Sequence, residues 1–171
     1  MKEVSFEYKM QVCHEDELSV EDKQLIDAAR EACKGSYSPY SGFSVGAALR
    51  LSDDEIIKGS NQENAAYPSG MCAERVALYQ AGAIHPHKAI KSLAIAARTK
   101  DGFTSYPCPP CGACRQVMME SEMRNGGTPI RIILYGTQAC YIIEGGAKFL
   151  LPLQFEKETM NTHSQSNLHR Q

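Results

Sequence analysis

The sequence predicts an α/β fold: a mixed β-sheet with helices on both faces, a three-layer α-β-α sandwich. Three observations carry this. Strand-like and helix-like segments follow in the order strand, helix, two strands, helix, strand, helix, two strands, which contains two strand–helix–strand units. Residues 93–97 are a continuous apolar run, the pattern of a strand covered on both sides, and residues 130–135 read as another buried strand. No repeat, low-complexity tract or linker divides the chain, so one domain is expected over residues 1–155.

The elements are argued in chain order. Val4, Phe6, Tyr8, Met10 and Val12 alternate with polar residues, which predicts a strand in an N-terminal extension, residues 1–17. Ser19 can cap a helix whose apolar face is Leu25, Ile26, Ala29, Ala32 and Cys33, and Gly35 ends it. Residues 37–42 read as a turn, 43–51 as a strand, Asp53-Asp54 as a turn and 55–59 as a second strand. Residues 61–71 carry Pro68 and Gly70 and read as irregular. A helix is expected over 72–81, stopped by Gly82, and another over 112–123 after a Pro/Cys-rich loop at 104–111. Residues 140–143 form a last short strand, broken by Gly145-Gly146, and 150–155 a packed tail. Residues 156–171 are polar and aperiodic and are expected to be disordered.

Composition narrows the function. The chain has 171 residues, 18 Lys+Arg against 20 Asp+Glu, and a net charge of −2. This balance, without a basic run, argues against sequence-independent nucleic-acid binding. No stretch approaches the roughly 18 apolar residues of a membrane span, and the N-terminus lacks the apolar core of a signal peptide. No membrane partner and a cytoplasmic location are expected. There are seven cysteines. An odd number without a secretory signal argues against a disulfide framework. Cys13, Cys33 and Cys140 stand alone in apolar stretches and read as buried small hydrophobes.

Two segments carry chemistry. Cys72-Ala73-Glu74-Arg75 opens one helix and Pro110-Cys111-Gly112-Ala113-Cys114-Arg115 opens another. A two-residue gap lets both thiolates of Cys111 and Cys114 reach one ion from a helix's first turn, and helix N-termini favour the thiolate. Cys72 supplies a third. Structural zinc usually has four protein ligands, whereas catalytic zinc has three and one position for water. Glu74, two residues past Cys72, is placed to take the proton that such water releases.

These segments resemble the three-cysteine variant of the zinc nucleobase deaminases. The closer resemblance is to the small homotetrameric cytidine deaminases. It is carried by Tyr37-Ser-Pro-Tyr-Ser-Gly-Phe43 with Val45-Gly-Ala-Ala-Leu49, Asn61-Gln-Glu-Asn-Ala-Ala-Tyr67, Cys72-Ala-Glu-Arg75, Pro110-Cys-Gly-Ala-Cys-Arg-Gln116 and Leu150-Leu-Pro-Leu-Gln-Phe155. The stretches run in family order across residues 20–155. The resemblance implies a mixed five-stranded sheet, zinc on Cys72, Cys111 and Cys114, and Glu74 as the proton shuttle in hydrolytic deamination of cytidine and deoxycytidine for pyrimidine salvage. It implies that Asn61 and Glu63 hold the ribose hydroxyls, that Phe43 packs on the pyrimidine, and that the backbone at Ala73 contacts the base. Ala65, Tyr67 and Phe155 resemble residues that reach a neighbouring subunit's site. Arg75 resembles a donor to the thiolates. Three thiolates on a divalent ion leave a shell of about −1, which Arg75 would offset.

Other readings of single residues stand beside these. Asn61 and Glu63 can serve only the turn, Phe43 can belong to the core, and His85 and His87 read as surface residues. Met118, Met119 and Met123 read as helix packing. Pro107-Cys108-Pro-Pro-Cys111 offers a second Pro-Cys-x-x-Cys register. Cys111 with Cys114 is preferred, because Gly112-Ala113 permits the turn into a helix and two prolines restrict it. Alternative functions are a zinc-stabilised nucleic-acid module, a polynucleotide cytosine deaminase, and deamination of a cytosine-nucleoside antibiotic such as blasticidin S. The charge balance opposes the first two.

Overall fold

A computed structural model of the protein describes residues 1–160. Its elements are β1 (Gln11–Cys13), α1 (Val20–Ala32), β2 (Ser44–Leu51), β3 (Ile56–Ser60), α2 (Ala73–Ile84), β4 (Ile90–Thr99), β5 (Gly102–Phe103), α3 (Gly112–Arg124), β6 (Arg131–Tyr135) and β7 (Cys140–Ile143). The sheet order is β1-β7-β6-β4-β2-β3, with β5 hairpinned onto the end of β4. β4 and β6 pair in parallel, and every other pairing is antiparallel. The sheet is therefore mixed, as expected.

Strand alternation sends successive side chains to opposite faces, and each face has its own core. On one side Leu25, Ile26, Ala29 and Cys33 of the α1 segment bury against Ala48, Ala94, Ala96 and Ile133. The Ser19 hydroxyl accepts from the Asp22 N–H at 3.0 Å, capping that helix. On the other side Ala77, Leu78 and Ala81 of α2 and Met118 and Met119 of α3 pack over Leu49, Leu93, Ile95, Ile132 and Leu134. Three layers result.

Two glycines set how closely the helices approach. A Cβ on Gly46 would collide with the Ala29 carbonyl of α1 and come within 2.6 Å of the Cys33 nitrogen. A Cβ on Gly59 would lie 2.5 Å from both Ala73 O and Ala77 N, so β3 and α2 touch backbone to backbone. The first turn of α2 is fixed in place by that contact.

The structure departs from the sequence reading at several boundaries. The N-terminal strand expected over 4–12 is only Gln11–Cys13, because β7 gives it no longer partner. Helix α2 runs through Gly82 to Ile84. An interior glycine costs only about 1 kcal/mol, and packing of the helix outweighs that. β4 extends beyond 93–97 because β2 pairs along it from Ser44↔Arg98 to Leu51↔Ile90. The sheet has seven strands where the resemblance implies five: β1 is the N-terminal strand expected from the alternation, shortened, and β5 is the strand the sequence pattern does not show. Of the tail expected to be disordered, Lys157–Met160 form a 3-10 turn, and residues 161–171 lie outside the described residues.

Candidate active site

β2 lies between β3 and β4 and is antiparallel to both, so β3 and β4 run the same way. The chain leaves β3 and enters α2, and leaves the β4–β5 hairpin and enters α3. Both helices thus begin at the same end of the sheet, on the same face. Cys72 is the N-cap of α2 and Cys111 the N-cap of α3; Cys114 sits in the first turn of α3.

The topology brings all three sulfurs together. Cys72 Sγ lies 3.8 Å from Cys111 Sγ, Cys111 Sγ lies 3.4 Å from Cys114 Sγ, and all three fall within 4.8 Å of one another. Sulfurs each about 2.3 Å from a tetrahedral zinc sit about 3.8 Å apart. The donor set and its spacing therefore fit zinc. Two helix N-termini converge on the cluster, and their unpaired amides favour thiolates. The Cys114 thiol first, then the Arg75 guanidinium, hold the Cys72 thiol down to about 5 despite its burial. The pairing with Cys72 pushes Cys114 the other way.

Glu74 and Ala73 follow Cys72 in the first turn of α2, and both are buried. Burial first, and the neighbouring Cys72 after it, raise the Glu74 carboxyl. Arg75 Nη2 donates to Cys72 Sγ at 3.6 Å, while its buried Nε has no partner among the described residues.

An open cavity of about 550 Å³ adjoins the cluster, lined by Tyr40, Asn61, Glu63, Tyr67, Cys72 and Arg75 among others. Asn61 and Glu63 already serve the turn before β2. Asn61 Oδ1 accepts from Ser36 Oγ at 2.5 Å and from Val45 N at 2.8 Å, and its Nδ2 donates to Phe43 O at 2.9 Å. That leaves one amide N–H. Glu63 accepts from Tyr40 N, Ser41 N and Ser41 Oγ. The Ser41 hydroxyl first, and the Tyr40 amide next, keep its carboxyl below the usual range. A carboxylate has about four acceptor sites, so one remains.

Residues 19–126 match the family model described as cytidine and deoxycytidylate deaminase zinc-binding region. The chain belongs to this family. A cytidine deaminase of Halalkalibacterium halodurans is 42% identical over 141 residues, spanning 82% of this chain and 98% of its own. The crystal structure of cytidine deaminase from Burkholderia pseudomallei is 38% identical with a TM-score of 0.64, covering 77% of this chain and 97% of that one. The Mycobacterium tuberculosis cytidine deaminase structure is 30% identical with a TM-score of 0.58, covering 81% and 99%.

The remaining candidates of this deaminase-family chain fall in different places. Phe43 is half-buried immediately before β2, its carbonyl accepting from Asn61 Nδ2, and it does not line the cavity. Tyr67 is exposed and meets Tyr40 edge to face at 6.0 Å. Ala65 is exposed and does not line the cavity. Phe155 is exposed on the far side of α3, in a groove with Tyr79, Val117 and Arg124. Cys108 is half-buried in the loop before α3 and outside the sulfur cluster; burial and then Glu74 push its thiol up.

The sequence reading gave no role to Arg115 and Gln116. Arg115 donates to Pro110 O at 2.9 Å and to Leu150 O at 2.8 Å, and Gln116 donates to Phe155 O at 2.9 Å. Together they tie the ligand loop and the C-terminal segment to the first turns of α3. Their position directly after Cys114 was the available signal.

Proposed function

We propose that this chain hydrolyses cytidine and deoxycytidine to uridine and deoxyuridine, releasing ammonia, as part of pyrimidine nucleoside salvage. The observation that carries the reading is the buried Glu74 beside three sulfurs that meet at two helix N-termini. The family membership supports it.

Cys72, Cys111 and Cys114 would hold the zinc. When bound, the ion supplies Lewis-acid chemistry that makes water a competent nucleophile near neutral pH. The chain's own residues then do the rest. Glu74 takes a proton from the water that attacks C4 of the pyrimidine and delivers it to N3. It then carries the second water proton to the departing amino group, which leaves as ammonia. Burial suits this work, because a carboxyl away from water gains and loses protons within the site. The free Asn61 N–H and the spare acceptor site of Glu63 would hold ribose hydroxyls. Phe43 would stack on the base, and the tight first turn at Ala73 lets the base approach backbone. Arg75 would offset the negative thiolate shell.

Ala65, Tyr67 and Phe155 would act across a subunit boundary. Their exposure, and the placement of Phe155 away from its own chain's cavity, support a homotetramer whose sites share residues. No helix among the described residues is long and apolar enough to cross a membrane, and a cytoplasmic nucleoside enzyme with one domain over 1–155 fits the whole reading.

The test is ammonia release from cytidine by the purified protein. Release is expected to stop on chelation and return with zinc. Glu74→Gln is expected to lower kcat by about 10²–10⁴-fold with zinc retained. Release that survives complete metal removal would overturn the proposal.

A further inference from the structure

The N-terminal arm ahead of α1 plays no part in the site, yet it is patterned. β1 is the outermost strand, and among the described residues nothing pairs with its other edge. Its register with β7 is Gln11↔Ile142 to Cys13↔Cys140, which sets Met10 opposite Ile143, the last residue of β7. The chain then turns away at Gly145–Gly146. Residues 4–9 therefore have no strand to join in their own subunit. Val4, Phe6, Tyr8, Met10 and Val12 are nevertheless apolar at every second position and between 47% and 71% exposed. Among the described residues neither Glu7 nor Lys9 forms an ion pair.

We infer that residues 3–13 are a docking strand for the same strand of a second copy of this chain, paired antiparallel about a twofold axis at Tyr8. The sequence is self-complementary in that register. Glu7 of each copy faces Lys9 of the other, Phe6 faces Met10, Val4 faces Val12, and Tyr8 faces its own copy. Cross-strand pairs of these kinds stabilise antiparallel ribbons, and sulfur–aromatic contacts add to them. Shifting the register by two residues sets Glu7 against Glu7 or Lys9 against Lys9. Shifting by one opposes apolar and polar side chains throughout. Among registers shifted by up to two residues the charges thus select this one, and it uses the free edge of β1. An isologous pairing of this kind closes on itself and does not propagate into fibres. The arm lies outside the family-matched residues 19–126, so it adds a contact to whatever assembly the domain makes.

Site-directed cross-linking tests this without reading catalysis, so its failure is separate from failure of the catalytic proposal. Tyr8→Cys in the full chain is expected to give a covalent dimer under mild oxidation, with the bond mapped to position 8 of both copies. Ser5→Cys is the control, because its two copies would sit six residues, about 20 Å, apart. In the Tyr8→Cys background at low salt, Glu7→Lys alone or Lys9→Glu alone should weaken association about tenfold, because each replaces two opposite-charge cross-strand pairs by like-charge ones. The combined reversal should restore cross-linking, since it rebuilds both pairs. Absence of the position-8 dimer overturns the inference, as it would if the arm folds back on its own subunit or takes a different protein. So does a combined reversal no better than the single changes, or Ser5→Cys cross-linking as readily as Tyr8→Cys.

Discussion

Arg75 is the side chain placed to offset the charge of a three-sulfur site. Its guanidinium meets Cys72 Sγ and lies among groups whose charge becomes negative when the thiols ionise. Three thiolates around a divalent ion leave about one unit of negative charge, and a fixed cation there lowers the cost of holding it away from water. Arg75→Gln keeps a donor and removes the charge. Zinc affinity, measured by competition with a chromophoric chelator, is expected to fall about 10–100-fold. Unchanged affinity would remove the electrostatic role. The choice of cysteine register is likewise testable at single residues. Cys108 stands outside the cluster within which Cys72, Cys111 and Cys114 meet. Cys114→Ser should empty the zinc from purified protein, whereas Cys108→Ser should leave one zinc per chain by metal analysis.

At the scale of an element, α3 is fixed at both ends. Its start is held by Arg115, and its end by Glu122, whose buried Oε1 accepts from Ile130 N at 2.9 Å and Ala147 N at 2.8 Å. Burial raises the Glu122 carboxyl, partly opposed by those two backbone bonds. A carboxyl raised on folding binds its proton more firmly in the folded state. Its contribution to stability is therefore full below the unfolded pKa of about 4.3 and is lost as pH rises through the folded value. Glu122→Gln keeps an oxygen for both N–H groups and removes the titration. In urea unfolding it should match the parent in mild acid and gain relative to it towards pH 7. Glu122→Ala should lose about 2 kcal/mol or more at every pH, because two buried donors lose their partner. Element boundaries were the part of the fold least visible in the sequence. The Ser19 cap, the apolar runs of β4 and β6 and the Cys-led starts of α2 and α3 announce themselves locally. The passage of α2 through Gly82 does not, because it depends on packing. Nor does the length of β1, which is set by where β7 stops. The site divides the same way. Cysteine spacing exposes the ligand candidates, but the bonds from Asn61 and Glu63 to the 36–45 turn join residues distant in sequence, and no local pattern shows them.

Across the whole molecule, the separation of core and site predicts what removing the metal does. The sulfurs converge because parallel β3 and β4 deliver two helices to one end of the sheet, the kind of crevice where open α/β sheets place ligands. That convergence depends on two cores, one per face, which contain almost no part of the sulfur site beyond Cys114 and the flank of Cys72. The metal-free chain is therefore expected to stay folded, with its far-ultraviolet circular dichroism retained. Its thermal stability should nonetheless fall, since an ion that binds only the folded state adds about 2.7 kcal/mol at a hundredfold excess over Kd. For a domain of this size that corresponds to about 5–10 °C in Tm. Differential scanning calorimetry of the chelated and zinc-reloaded protein measures it. Acidification should mimic chelation, because protons compete with the ion for the thiolates. Gly59→Ala tests the same argument from the scaffold side. A methyl 2.5 Å from Ala73 O must push α2 outward, costing about 1–3 kcal/mol as overpacking and moving Cys72 away from the other two sulfurs. Zinc should then be lost at a concentration of chelator that the parent withstands, while the α1 face of the sheet stays intact.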